Sequence, residues 1–88
     1  VIIIYEDERF FSSKKFNRLF HAMKSKGLEI QRYSFEQNRE HFIINKDVWC
    51  LVYCAGREML PATYVDGHIM KIEEYPTKKE INAWLKKS

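Results

Sequence analysis

The first third of the chain places the strongest constraint on its fold. Val1–Tyr5 (Val-Ile-Ile-Ile-Tyr) is an unbroken apolar, mostly β-branched run. Such a run reads as a strand buried on both faces, as in parallel sheets. Lys14–Lys26 changes period: Phe16, Leu19, Phe20 and Met23 fall at i, i+3, i+4 and i+7, a single apolar stripe on a helix. Ser12 or Ser13 stands where a cap for that helix belongs, and Gly27 stands where a left-handed C-terminal residue belongs. Leu28–Phe35 then alternates, with Leu28, Ile30 and Arg32 facing opposite to Glu29, Gln31 and Tyr33, which predicts a second strand. A helix between two consecutive strands predicts a right-handed parallel crossover.

The rest of the chain closes the sheet. Ser34-Phe35-Glu36-Gln37 has the form of a capping box, with a short helix running to about Ile44. Asn45-Lys46-Asp47 reads as another helix start. The next segment pulls two ways: Val48–Cys54 is apolar throughout and rich in strand formers, yet Asn45 before it and Gly56 after it are helix punctuation. We expect helix, partly on a resemblance given below. Ala62–Val65 and His68–Ile72 flank Asp66-Gly67, the strongest short hairpin signal. Thr77-Lys78-Lys79-Glu80, with Pro76 just ahead, is a further capping box opening a helix with Ile81, Trp84 and Leu85 on one side. The order is β-α-β-(α)α-β-β-α, in outline β-α-β-α-β-β-α. The economical packing is an α/β fold with a mixed four-stranded sheet and helices on both faces, a thioredoxin-like arrangement. Residues 1–88 are expected to form one domain.

Composition excludes several function classes. No stretch approaches the roughly 20 apolar residues a membrane span needs. No secretory signal pattern is visible, because Val1–Ile4 runs directly towards Glu6, Asp7 and Glu8; Val1 is not Met, so residues ahead of it are expected. A net charge of +3 is too small to argue for nucleic acid on electrostatics alone. Two cysteines, Cys50 and Cys54, make no disulfide framework, and a reducing cytoplasm is the default compartment.

From Gly27 onward four blocks resemble the ArsD family of arsenical-resistance proteins. Its members carry patterns like G-x-x-V-x-R-Y-N-L, F-x-x-N-x-x-V, L-P-x-x-x-V-D-G and Y-P-x-x-x-E-L-x-x-W. Here the blocks are Gly27–Phe35 with Arg32-Tyr33, Phe42–Val48 with Asn45, Leu60-Pro61 through Val65-Asp66-Gly67, and Tyr75-Pro76 through Glu80 to Trp84. The spacing between blocks matches as well, over roughly residues 27–86. The resemblance implies a thioredoxin-like fold, a cis bond before Pro61, and a non-enzymatic role in metalloid delivery to a transport ATPase or in repression. It also implies a vicinal cysteine pair and a third cysteine between the first strand and first helix. Counted without gaps, those positions are Phe10, Phe11 and Phe16 here, and the family's Gly among them is Lys14. A Pro after the second strand is Arg39, and a Gly before Tyr-Pro is Glu73. Arsenite is a soft trigonal centre that takes three thiolates, and phenyl rings supply none. No metal site and no cofactor are therefore expected at that loop, nor thiol–disulfide exchange.

The remaining candidates each have a plain alternative. Cys50 and Cys54, if helical, share a face and make a weak soft-ion pair; the expected reading is two buried small hydrophobes. Phe10, Phe11, Ser12, Ser13, Leu60 and Pro61 would form a partner-binding patch for a transport ATPase or a second copy of the chain. Phe10 and Phe11 fit core filling equally well, and Phe16 lies on the helix stripe. Lys14, Lys15, Arg18, Lys24 and Lys26 read as a solvated basic face, although Ser12, Ser13 and the helix start could hold an anion. His21, His41 and His68 read as surface residues, and Glu6, Asp7 and Glu8 as an acidic loop. Two other function classes stay open: a thioredoxin-type redox protein using Cys50 or Cys54, and a DNA-binding regulator. No membrane partner is expected.

Overall fold

The structure, a computed structural model, describes residues 1–9 and 12–86. Strand β1 (Ile2–Glu6) lies inside a four-stranded sheet of order β2-β1-β3-β4. It pairs in parallel with β2 (Ile30–Ser34), from Ile2 opposite Ile30 to Glu6 opposite Ser34. It pairs antiparallel with β3 (Ala62–Val65), from Ile2 opposite Val65 to Tyr5 opposite Ala62. β3 pairs antiparallel with β4 (His68–Lys71). The mixed sheet is the one the sequence order predicts.

Both faces of the sheet are covered, which is why β1 carries no alternation. On one face Ile2, Ile4, Ile30 and Val65 pack with Phe16 and Met23 of α1 (Lys14–Ser25) and Ile81 of α4 (Lys78–Lys86). On the other, Tyr5 and Ala62 pack with Phe35, Phe42 of α2 (Arg39–Ile44), Val48 and Val52 of α3 (Lys46–Ala55), and Leu60. Ile2, Ile4, Ile30 and Ile81 are fully buried, and each such side chain contributes roughly 1.5–3 kcal/mol. This is the thioredoxin-like layering.

The element ends follow from local chemistry. Ser13 Oγ accepts from the Phe16 N–H at 3.0 Å and opens α1. At its end the Leu28 N–H donates to Met23 O at 3.2 Å and the Gly27 N–H to Lys24 O at 3.0 Å, a Schellman closure. Gly27 has φ +81°, so the glycine is required there. Asp66 and Gly67 both have positive φ, as a type I′ hairpin demands. Thr77 and Glu80 bond each other's backbone N–H reciprocally, at 2.9 and 3.1 Å. Asn45 Oδ1 accepts from the Val48 N–H at 3.2 Å and opens α3.

Two readings differ from expectation, and the ambiguous segment resolves as expected. β2 is shorter than Leu28–Phe35 because the α1 closure takes up Leu28, although the Phe35 N–H still donates to Glu6 O at 2.8 Å. Ser34–Gln37 is not a capping box. Asn38 closes a turn on Ser34 instead, accepting its N–H at 3.1 Å, and α2 begins at Arg39. Segment 46–55 is helical despite its strand formers, because Val48 and Val52, four apart, turn inward together. The Leu60–Pro61 peptide bond is cis.

Candidate functional site

The C-terminal end of β1 gathers the loop that leads to α1 and, through the Tyr5–Ala62 pairing, Pro61 just ahead of β3. Ser12 there is exposed and Ser13 half-buried. Phe10 and Phe11 lie outside the described residues. Phe16 is 3% exposed and its ring stacks on Tyr75, with centroids 4.6 Å apart and planes 16° apart. The Arg32 guanidinium lies 5.0 Å from the Phe16 ring centre and 5.1 Å from that of Phe20. It donates through Nε and Nη2 to the two Glu6 carboxylate oxygens at 2.6 and 2.7 Å, a bidentate pair, and through Nη1 to Asn17 Oδ1 at 2.8 Å. The Tyr75 hydroxyl donates to Glu6 Oε1 at 2.6 Å.

Glu6 is therefore no loop residue. It ends β1 and is 2% exposed. The alternation that buries Ile2 and Ile4 carries one step further to Glu6, and on β2 the same face carries Ile30 and Arg32. Glu6 holds the Arg32 guanidinium above its ordinary pKa mainly through these hydrogen bonds. Burial, then the hydrogen bond to Glu6, raises the Tyr75 hydroxyl well above an ordinary phenol.

Asp7 is buried too, and Arg57 donates to its carboxylate. Arg57 also reaches Glu36 Oε1 at 2.9 Å and lies 4.0 Å from the Phe35 ring centre. Arg39 covers the same ring at 4.4 Å. The acidic-loop expectation thus holds for exposed Glu8 and fails for Glu6 and Asp7, which are buried against Arg32 and Arg57 from distant segments, with Arg9 a local second partner of Asp7. Leu60 and Pro61 are also buried, Leu60 in the α2–α3 core, so their side chains offer no open contact surface.

Cys50 and Cys54 overturn the buried-hydrophobe reading. Both are exposed free thiols on α3, because Val48 and Val52 occupy its inward side. Their Sγ atoms are 3.7 Å apart. The hydrogen bond with Cys54, followed by its charge, raises the Cys50 thiol above its ordinary value. Neither thiol stands at a helix N-terminus, so the usual activation of a redox cysteine is missing. The pair borders a shallow cleft of about 520 Å³ whose lining includes Asp47 and His68. Among the described residues no group of three or more His, Cys, Asp or Glu side chains is arranged to hold a metal ion. His21 and His68 are exposed as expected, whereas His41 is half-buried and stacks on Tyr33 at 3.9 Å. Lys14, Lys15, Arg18, Lys24 and Lys26 form an exposed face of α1 and its C-terminal cap. Among the described residues no helix is long and apolar enough to cross a membrane.

Sequence reasoning missed the two ion-paired clusters. The usable signal was strand alternation carried past the apolar run into Glu6, with Arg32 at the matching face of β2.

Comparison with known proteins identifies relatives. The family model described as arsenical resistance operon protein ArsD matches residues 12–88. Two Escherichia coli proteins, each an arsenical resistance operon trans-acting repressor ArsD, are 29% and 27% identical to the chain over 63 residues. The matches cover 72% of this chain and 52% of each relative, so the chain spans about half the length of the curated relatives it matches. The crystal structure of the arsenical resistance operon trans-acting repressor from Bacteroides vulgatus ATCC 8482 has the same fold, with a TM-score of 0.80 at 22% identity over 94% of this chain and 89% of that one.

Proposed function

The chain belongs to the ArsD family, and from that membership we propose that it is a non-enzymatic protein-interaction or regulatory module that no longer grips arsenite. One observation carries the reading. The 88 residues hold two thiols, and both stand on α3, across the sheet from the α1 start where the family's cysteines would be. Trivalent arsenic takes three soft donors, and Phe16 at the matching position is built into the Tyr75–Arg32–Glu6 stack. The partner surface is the start of α1, with Phe10, Phe11, Ser12 and Ser13, and its occupant is a transport ATPase or a second copy. As a single domain with free thiols, the chain suits a reducing cytoplasm.

Calorimetric titration of the reduced protein with arsenite tests the loss of the grip. The expected result is no tight stoichiometric binding; a sharp one-to-one isotherm would overturn the reading. Binding to a purified arsenite-transport ATPase tests the interaction. It is expected to be indifferent to arsenite and weakened by Ser12→Glu. Binding that requires arsenite would refute it.

A further inference from the structure

We propose that Cys50 and Cys54 are half of a tetrahedral thiolate site for a thiophilic divalent cation such as Zn²⁺, completed by the same pair from a second copy of the chain. Three observations point there. The first is geometry. The thiols sit one helical turn apart on one exposed face of α3, with their Sγ atoms 3.7 Å apart. A zinc–sulfur length of about 2.3 Å at the tetrahedral angle sets two sulfurs about 3.8 Å apart, whereas a linear two-coordinate ion needs about 4.6 Å. The pair therefore fits the tetrahedral ion with scarcely any movement. An internal disulfide, by contrast, needs backbone geometry that a regular helix does not supply.

The second observation is donor count. A closed structural zinc site takes four ligands, and one chain offers two; no third acidic, His or Cys group joins them among the described residues. A two-fold axis through the ion doubles two to four and presents the same surface from both sides. The third is the setting. Tyr53 is 80% exposed and Ile43 51%. With Trp49 and Lys46 they line a shallow cleft of about 260 Å³ that includes both cysteines. A second α3 seated there would cover apolar surface around the ion. Binding releases the proton of each thiol to solvent, four for each ion, so it strengthens as pH rises. The site is separate from the first-loop reading above, and either can fail without the other.

The test adds Zn²⁺, and Co²⁺ as its spectroscopic substitute, to the fully reduced protein, with light-scattering mass as a second readout. Expected are one ion for two chains, at least a doubling of the mass measured before the ion is added, reversal of that rise by chelator, and the intense visible bands of tetrahedral thiolate-bound Co²⁺. Cys50→Ser and Cys54→Ser should each lose both binding and mass change, and His68→Ala should keep them. In the wild type Zn²⁺ should also protect both thiols from iodoacetamide, a readout that does not depend on any variant. One ion held by a single chain, loss in His68→Ala, a Zn²⁺-induced association that survives chelation, or no protection from alkylation would overturn the proposal.

Discussion

Replacing Arg32 by Met isolates the charge from the packing. Methionine keeps a flexible apolar stem against Phe16 and Phe20 but deletes the guanidinium that grips both oxygens of Glu6. Glu6 is 2% exposed, so its carboxylate is left buried with the Tyr75 hydroxyl as the remaining partner among the contacts described above. Removing one partner of a buried ion pair costs about 3–5 kcal/mol, and the lower end applies because the Arg32 side chain is 20% exposed. For a domain of this size a loss of about 3 kcal/mol lowers Tm by roughly 12–24 °C. Denaturant unfolding at pH 7, followed by tryptophan fluorescence, measures it. Adding Glu6→Gln to Arg32→Met should recover part of the loss, because the stranded charge is gone, with a coupling of about 1 kcal/mol or more in the double-mutant cycle. A single-variant cost below about 1 kcal/mol, the range of exposed pairs, or strict additivity would refute the picture of a buried, mutually dependent cluster.

Tyr75→Phe should cost about 2 kcal/mol at pH 7 by deleting a hydrogen bond to a charged acceptor. The raised Tyr75 pKa also sets a pH dependence. Its contribution is whole below the ordinary phenol value of about 10 and is lost as pH climbs from there towards the folded value. Thermal melts between about pH 9 and 12 should therefore fall less steeply in Tyr75→Phe than in the wild type; parallel slopes would count against the assignment. Glu73 has φ +69°, so Glu73→Gly should relieve about 1–2 kcal/mol of left-handed strain against a glycine entropy cost of about 0.5–1 kcal/mol. A small rise in Tm is expected, and a fall would show that the side chain contributes more than its backbone costs. Cys50 should alkylate slowly at pH 7 compared with an unstructured cysteine peptide and faster as pH rises, because its thiol is raised; a fast-reacting thiol at neutral pH would revive the redox reading.

The parts of the fold that were legible in the sequence are those written in local chemistry. Gly27, the Asp66-Gly67 turn and the Thr77–Glu80 box each act within a few residues, and all three do what their residue types require. What escaped was set by distance along the chain. Glu6 and Asp7 look like any acidic pair until Arg32, Arg57 and Tyr75 arrive from other segments. The face of α3 escaped for another reason. With Val48, Trp49, Leu51, Val52 and Tyr53 all apolar, no polar side marks which way is out, and the exposure of the two thiols is decided by Val48 and Val52 meeting the sheet. The loop at the candidate site was legible only through the family resemblance, since a missing donor leaves no pattern of its own.

The bonding of Glu6 has a consequence for the order of events during synthesis. Its partners arrive one after another: Arg32 early, Tyr75 near the far end of the described chain. A nascent chain leaves the ribosome N-terminus first, so the first strand, its acidic end already able to pair with Arg32, lacks the Tyr75 hydrogen bond until that residue has emerged. Assembly of this domain is thereby tied to the emergence of the Tyr75 segment, and a ribosome stalled short of residue 75 would display a β-α-β segment that has not yet locked.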